Sequence, residues 1–116
     1  MTTRTHTQSF NSGSVVDGPQ EAINCENILV SATMIAVIVN GDALYSVEYT
    51  LDDVNAETTT DVPPVPVVWF TSQEFPDGSS GTNYAAFYHP VQFVRINITS
   101  LVGDLQFKVL QSFNSV

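Results

Sequence analysis

Hydrophobic and polar residues alternate with a period of two in several strand-length stretches of this chain. In residues 44–51, Tyr45, Val47, Tyr49 and Leu51 fall on one side, and Ser46, Glu48 and Thr50 on the other. Residues 91–99 and 104–110 repeat the pattern. Successive side chains of a strand point to opposite faces, so this spacing predicts half-buried antiparallel strands with one wet face. Met34–Asn40 reads as a more continuously apolar strand, rich in β-branched residues and closed by Asn40-Gly41-Asp42. Asn-Gly between two strand-like runs is a strong hairpin signal, which predicts that 33–39 pairs with 43–51. A second hairpin is expected between Val91–Thr99 and Leu105–Gln111, turning through Ser100–Asp104 with Gly103 at the tight position.

The remaining elements are shorter. Residues 1–14 are rich in Thr, Ser, Asn and Gln and read as an extended N-terminal arm, with strand pairing near Thr7–Phe10. Asp17-Gly18-Pro19 marks a turn. Residues 19–27 carry no strong signal, and Ile28–Ser31 reads as a short strand. Residues 52–66 hold acidic residues, threonines and three prolines and read as a surface loop, followed by a short strand at Val67–Thr71. Residues 72–83 read as a flexible loop and Tyr84–Tyr88 as a strand that His89-Pro90 breaks. The expected fold is all-β: an antiparallel β-sandwich, jelly-roll- or Ig-like, of about seven or eight strands over residues 15–116. Its expected core is Tyr45, Val47, Tyr49, Trp69, Val94, Ile96, Ile98, Leu105, Phe107 and Val109. On that reading Trp69→Ala costs roughly 3–5 kcal/mol.

Length and composition narrow the function. The chain has 116 residues, 43% of them hydrophobic, which suits one domain with its own core. Charged residues make up 13%, about half the usual ~25%. Three cations, Arg4, Arg95 and Lys108, stand against twelve carboxylates, a net charge of −9. Nucleic acids and anionic membranes are bound by clustered Lys and Arg, so neither is an expected partner. A single cysteine, Cys25, excludes an intrachain disulfide and reads as a reduced structural thiol. The N-terminus lacks an apolar signal core, and the longest apolar run, Met34 to Val39, is far shorter than the ~20 residues of a membrane span. A soluble protein made in the cytosol is expected.

Candidate chemistry is sparse. Asp52 and Asp53, with Glu57 and Asp61, offer oxygen ligands for a hard cation, but their spacing fits an acidic surface loop better. His89 and the arm residue His6 have no visible triad or zinc partner. Arg95 should share a face with Phe93 and Asn97 and pair with Asp52 or Asp53. Asn97-Ile98-Thr99 matches a glycosylation pattern that recurs by chance. Trp69-Phe70 and Phe87-Tyr88 are potential sugar-stacking aromatics, but sit among β-branched residues as core side chains do. No catalytic, cofactor or metal site is expected, nor enzymatic activity.

Three stretches together resemble small virion structural proteins of tailed bacteriophages. They are Leu44-Tyr45-Ser46-Val47-Glu48-Tyr49-Thr50-Leu51-Asp52-Asp53, the strand of Trp69 after a variable loop, and a terminal pair. That pair is Pro90-Val91-Gln92-Phe93-Val94-Arg95-Ile96-Asn97-Ile98-Thr99, a Gly-containing turn, and Leu105-Gln106-Phe107-Lys108-Val109-Leu110-Gln111. The resemblance covers roughly residues 34–111, in strand style and order. It implies a β-sandwich capsid decoration (cement) protein on the virion surface, docked on the assembled shell. Its implied partners are the major capsid protein and neighbouring copies of itself, as in a trimer, with the N-terminal arm as tether. A head–tail or tail accessory protein, or a carbohydrate-binding adhesion module using Trp69, Tyr84 and Tyr88, is the alternative. Deleting residues 1–14 is expected to weaken attachment and leave the fold intact.

Overall fold

The computed structural model describes residues 2–14, 17–25, 30–51, 67–87 and 91–113. These are all-β: eight strands, all antiparallel, in one hydrogen-bonded sheet, with no helix among the described residues. The strands are β1 (Thr2–Asn11), β2 (Gly18–Pro19), β3 (Ile23–Asn24), β4 (Val30–Thr50), β5 (Phe70–Thr71), β6 (Ser79–Ser80), β7 (Asn83–Phe87) and β8 (Phe93–Phe113).

The two predicted hairpins do not form. Residues 30–50 are one continuous strand, residues 93–113 are another, and β4 and β8 pair with each other throughout. Val37 faces Phe107 and Val47 faces Ile96, so 33–39 pairs with the end of β8 and 43–50 with its beginning. The Asn-Gly signal marks a crease. Gly41 lies directly opposite Gly103 in the ladder. Both have positive φ, 125° and 103°. A Cβ on Gly41 would sit 2.1 Å from the Val102 carbonyl oxygen, and one on Gly103 would sit 2.2 Å from that of Asn40. Only glycine tolerates both the conformation and the approach.

The crease folds the sheet over. A straight strand of 21 residues would span about 70 Å, yet the longest dimension of the molecule is 40 Å. The Tyr49 ring lies 5.8 Å from the ring of Phe87, and Phe87 pairs with Thr33. Thr33 and Tyr49 would be about 50 Å apart on a straight strand. Gly41 is midway between them. One half of the sheet is therefore β1, residues 104–113 of β8, residues 30–40 of β4 and β7. The other is β2 and β3, residues 93–101 of β8, residues 43–50 of β4, and β5 and β6.

A second irregularity keeps both halves facing inward. Leu44 pairs with Ser100 and Tyr45 with Ile98, which leaves Thr99 as an extra residue on β8. The bulge switches the buried parity, from Val94, Ile96 and Ile98 to Leu101, Leu105, Phe107 and Val109. Ile35, Val37, Tyr45 and Val47 supply the β4 side. Each large apolar side chain buried there contributes about 1.5–3 kcal/mol.

Of the expected core, Tyr45, Val47, Val94, Ile96, Ile98, Leu105, Phe107 and Val109 are buried, whereas Tyr49 and Trp69 are half-buried. Residues 72–83 are no free loop. The Ser72 N–H donates to the Val47 carbonyl (2.8 Å), the Val47 N–H to that of Phe75 (3.1 Å), and Phe75 is fully buried. Within residues 19–27, which carry no strong signal in the sequence, β3 at Ile23–Asn24 pairs with β8 and places Ile23 in the core beside Cys25. The N-terminal arm is also built in. All ten residues of β1 pair with β8, from Thr2 opposite Phe113 to Asn11 opposite Asp104.

Gly41→Ala and Gly103→Ala should each destabilise the fold by roughly 3 kcal/mol or more, the combined effect of positive-φ strain and backbone overlap. Gly78 also has positive φ, 87°, but a Cβ there would meet nothing within 4 Å. Gly78→Ala should cost only about 1 kcal/mol. Urea denaturation of the three variants measures this; equal losses would show that the crease imposes no special constraint.

Candidate functional site

Three side-chain constellations stand out, each placed by the folded ladder. The first lies on the outer face of the half that holds β5. Glu48 pairs across the ladder with both Arg95 and Thr71. Arg95 Nε donates to Glu48 Oε1 at 2.7 Å. The guanidinium carbon also lies 3.9 Å from the centre of the Trp69 ring. Arg95 is thus on the face expected for it, but its partner is Glu48. Asp52, Asp53, Glu57, Asp61, Tyr88 and His89 lie outside the described residues. Trp69 is half-buried and not a core side chain, and Arg95 covers one face of its ring. Phe70 stacks on Tyr49 at 5.6 Å, and Phe87 is buried.

The second constellation is a polar seam where the two halves meet. Arg4, His6 and Gln8 of β1 are half-buried on its inward side, while Thr5, Thr7 and Ser9 are exposed. Arg4 donates to Gln111 Oε1 from Nε (3.1 Å) and from Nη2, and to the Asn24 carbonyl (3.5 Å). Gln111 is fully buried and donates from Nε2 to the Cys25 carbonyl at 2.8 Å. Gln8 donates to the Glu21 carbonyl at 3.0 Å. These bonds tie β1 and the end of β8 to residues 21–25 of the facing half. Burial pushes the Cys25 thiol up to about 11, against the opposing pull of Arg4 and a backbone hydrogen bond. The thiol is therefore protonated and inert. Burial, then the nearby Arg4 charge, lowers the His6 pKa. Its Nε2 is buried without a hydrogen-bond partner among the described residues.

The third is a surface. On the outer face of the half that holds β1 and β7, the ladder sets side chains in rows. Thr5, Leu110, Met34 and Ala86 form one row; Thr7, Lys108, Ala36 and Tyr84 form the next; Ser9, Gln106 and Ile38 form a third. Met34 is 42% exposed, Ile38 40%, Leu110 37% and Tyr84 77%. Cross-strand neighbours stand about 5 Å apart, so these form one continuous patch. The single charge in the three rows is Lys108, half-buried between Ala36 and Thr7. The alternation at 104–110 already places Lys108 and Leu110 on the wet face. The readable sign was that Met34–Val39 is apolar at both parities. One of its faces lines the core, which leaves Met34, Ala36 and Ile38 outside.

Among the described residues, no group of three or more His, Cys, Asp or Glu side chains is arranged to hold a metal ion. A shallow cavity of about 430 Å³ at the crease is lined by Gly41, Asp42, Ala43, Leu44, Ser80, Gly81 and Ser100. Comparison of the chain with protein-family models, with curated proteins and with solved structures finds no match.

Trp69→Ala should cost about 1–2 kcal/mol, the value of a half-shielded ring under a guanidinium. Phe107→Ala should cost about 3–5 kcal/mol. Thermal denaturation compares them, and equal losses would return Trp69 to the core. His6 gives a pH dependence. Its folded pKa is lowered, so the unfolded chain takes up the proton first. Stability should fall as pH drops through about 6.5 and on toward the lower folded value. In His6→Gln that part of the slope should disappear from urea titrations between neutral and acidic pH; an unchanged slope would place the dependence elsewhere.

Proposed function

We propose that this protein is a non-catalytic structural module that attaches to a larger assembly. Its finer reading is a capsid decoration protein of a tailed phage, which docks on the assembled shell and bridges major capsid proteins. The observation that carries the coarser reading is the outer patch of Met34, Ala36, Ile38, Tyr84, Ala86 and Leu110. A soluble, strongly acidic module gains nothing by leaving this surface in water unless something covers it. Support for the finer reading is the resemblance of residues 34–111 to small phage virion proteins. The folded ladder suits a mechanical role: two strands of 21 residues cross both halves, so load on one half passes through continuous backbone to the other.

The tether expected in the N-terminal segment would act from a strand that is already paired with β8 along its length. Its inward side is bonded into the seam, and its pairing edge toward β8 is occupied, so removing residues 1–14 would strip an edge strand from the sheet. Attachment is better assigned to the outer patch. Tyr84, exposed on that patch, is the one observation that favours the carbohydrate-binding alternative.

Co-sedimentation with phage shells assembled without this subunit tests the proposal. The full chain should pellet with the shells and saturate at a fixed ratio. Protein that stays in the supernatant, yet is retained by isolated tails or by immobilised glycans, would replace the decoration reading by one of its alternatives.

A further inference from the structure

We infer that the outer patch centred on Lys108 docks a different protein, one that presents apolar side chains around a carboxylate, with the Lys108 ammonium taking that carboxylate. The inference rests on the reading of this protein as a docking module, and not on the particle being a phage. Its first support is the distribution of charge. The chain carries twelve carboxylates and three cations, yet the three rows of the patch hold no carboxylate. Two of the cations are engaged within the chain, Arg4 with Gln111 and Asn24, and Arg95 with Glu48 and Trp69. Lys108 is the cation whose side chain has neither a hydrogen bond nor an ion pair among the described residues, and it stands in the middle of the exposed apolar side chains.

The second support is its setting. Lys108 stands opposite Ala36 in the ladder, with Leu110 next on its own face, and Thr5, Thr7 and Ser9 edge the patch on one side. An apolar centre with a polar rim is the anatomy of a protein interface. A partner that closes over the patch removes water from the ammonium, so a carboxylate opposite it becomes a condition of tight binding and a source of selectivity. A second copy of this chain fits poorly. Like faces meeting about a two-fold axis would bring two Lys108 ammonium groups together and join two chains of net charge −9. A nucleic acid or anionic bilayer fits poorly as well, since one cation supplies little of the charge either requires.

The test uses the full chain labelled with ¹⁵N and two synthetic β-hairpin peptides with identical apolar faces, one bearing a central Asp and one a central Lys. Amide shifts should concentrate at residues 34–38, 84–86 and 106–110, and the Asp peptide should bind at least tenfold more tightly. Lys108→Glu should reverse the preference, and Lys108→Met should abolish it without reversal, with circular dichroism unchanged in both. Equal binding of the two peptides, shifts elsewhere, or an unaltered preference in Lys108→Glu would overturn the inference. So would concentration-dependent dimers of the wild-type chain that Lys108→Glu dissolves, since a second copy would then cover the patch. Shells separate this inference from the decoration reading. Wild type and Lys108→Glu pelleting equally with shells would overturn the inference and leave that reading standing. Peptide selectivity as expected, with no shell binding by wild type, would leave the docking surface standing and remove the phage shell as its partner.

Discussion

The close crossing of Gly41 and Gly103 is the constraint on which the rest of the structure depends. Two strands of 21 residues cannot stay straight in a molecule 40 Å long. They must bend together at the same level, or the ladder between them breaks. Facing glycines allow the bend without losing the pairing on either side, because neither backbone meets a side chain where they approach. Once the ladder folds there, Tyr49 reaches Phe87, Gln111 reaches Cys25, and the apolar faces of both halves close on one interior. The extra residue at Thr99 is the companion device. Without that change of parity, a β8 strand facing the core at Ile96 would turn Phe107 outward.

Much of this was legible in the alternation. The strands at 44–51, 91–99 and 104–110, the all-β class, the approximate strand number and most of the core follow from period two alone. Strand partners were not legible, and the reason is physical. Asn40-Gly41-Asp42 reads as a hairpin because glycine permits positive φ, but the same freedom serves a crease in an unbroken strand. What distinguishes the two is a second glycine opposite, at 103, and opposition is a property of the pairing, not of either segment. Phe75 sits in a stretch that reads as loop because Pro, Gly and Ser surround it; a single aromatic anchor has no period. The β-branched neighbours of Trp69 point to the core, whereas Arg95 above it, itself held by Glu48, makes its position a half-shielded one.

The outer patch was partly legible in the same way. A strand that is apolar at both parities needs cover on both faces, and Met34–Val39 has the core on one side only. The charge pattern sharpens this. With Arg4 and Arg95 bonded internally, Lys108 is left as the positive feature of a surface otherwise free of charge, on a chain that is strongly acidic elsewhere. The inward polar face of β1 serves another purpose. Arg4 and Gln8 bond to the carbonyls of Asn24 and Glu21, and Gln111 of β8 bonds to that of Cys25, which joins the edges of the two halves by hydrogen bonds. A Thr- and Ser-lined outer face then keeps that edge strand wet and compatible with solvent.

A nuclear Overhauser spectrum of the intact chain tests the folded ladder most directly. The folded ladder predicts backbone contacts between Val37 and Phe107 and between Val47 and Ile96, together with a ring contact between Tyr49 and Phe87. Backbone contacts joining residues 33–39 to residues 43–51 would instead establish a local hairpin at Asn40-Gly41, and with it a different sheet, a different interior and no continuous patch around Lys108.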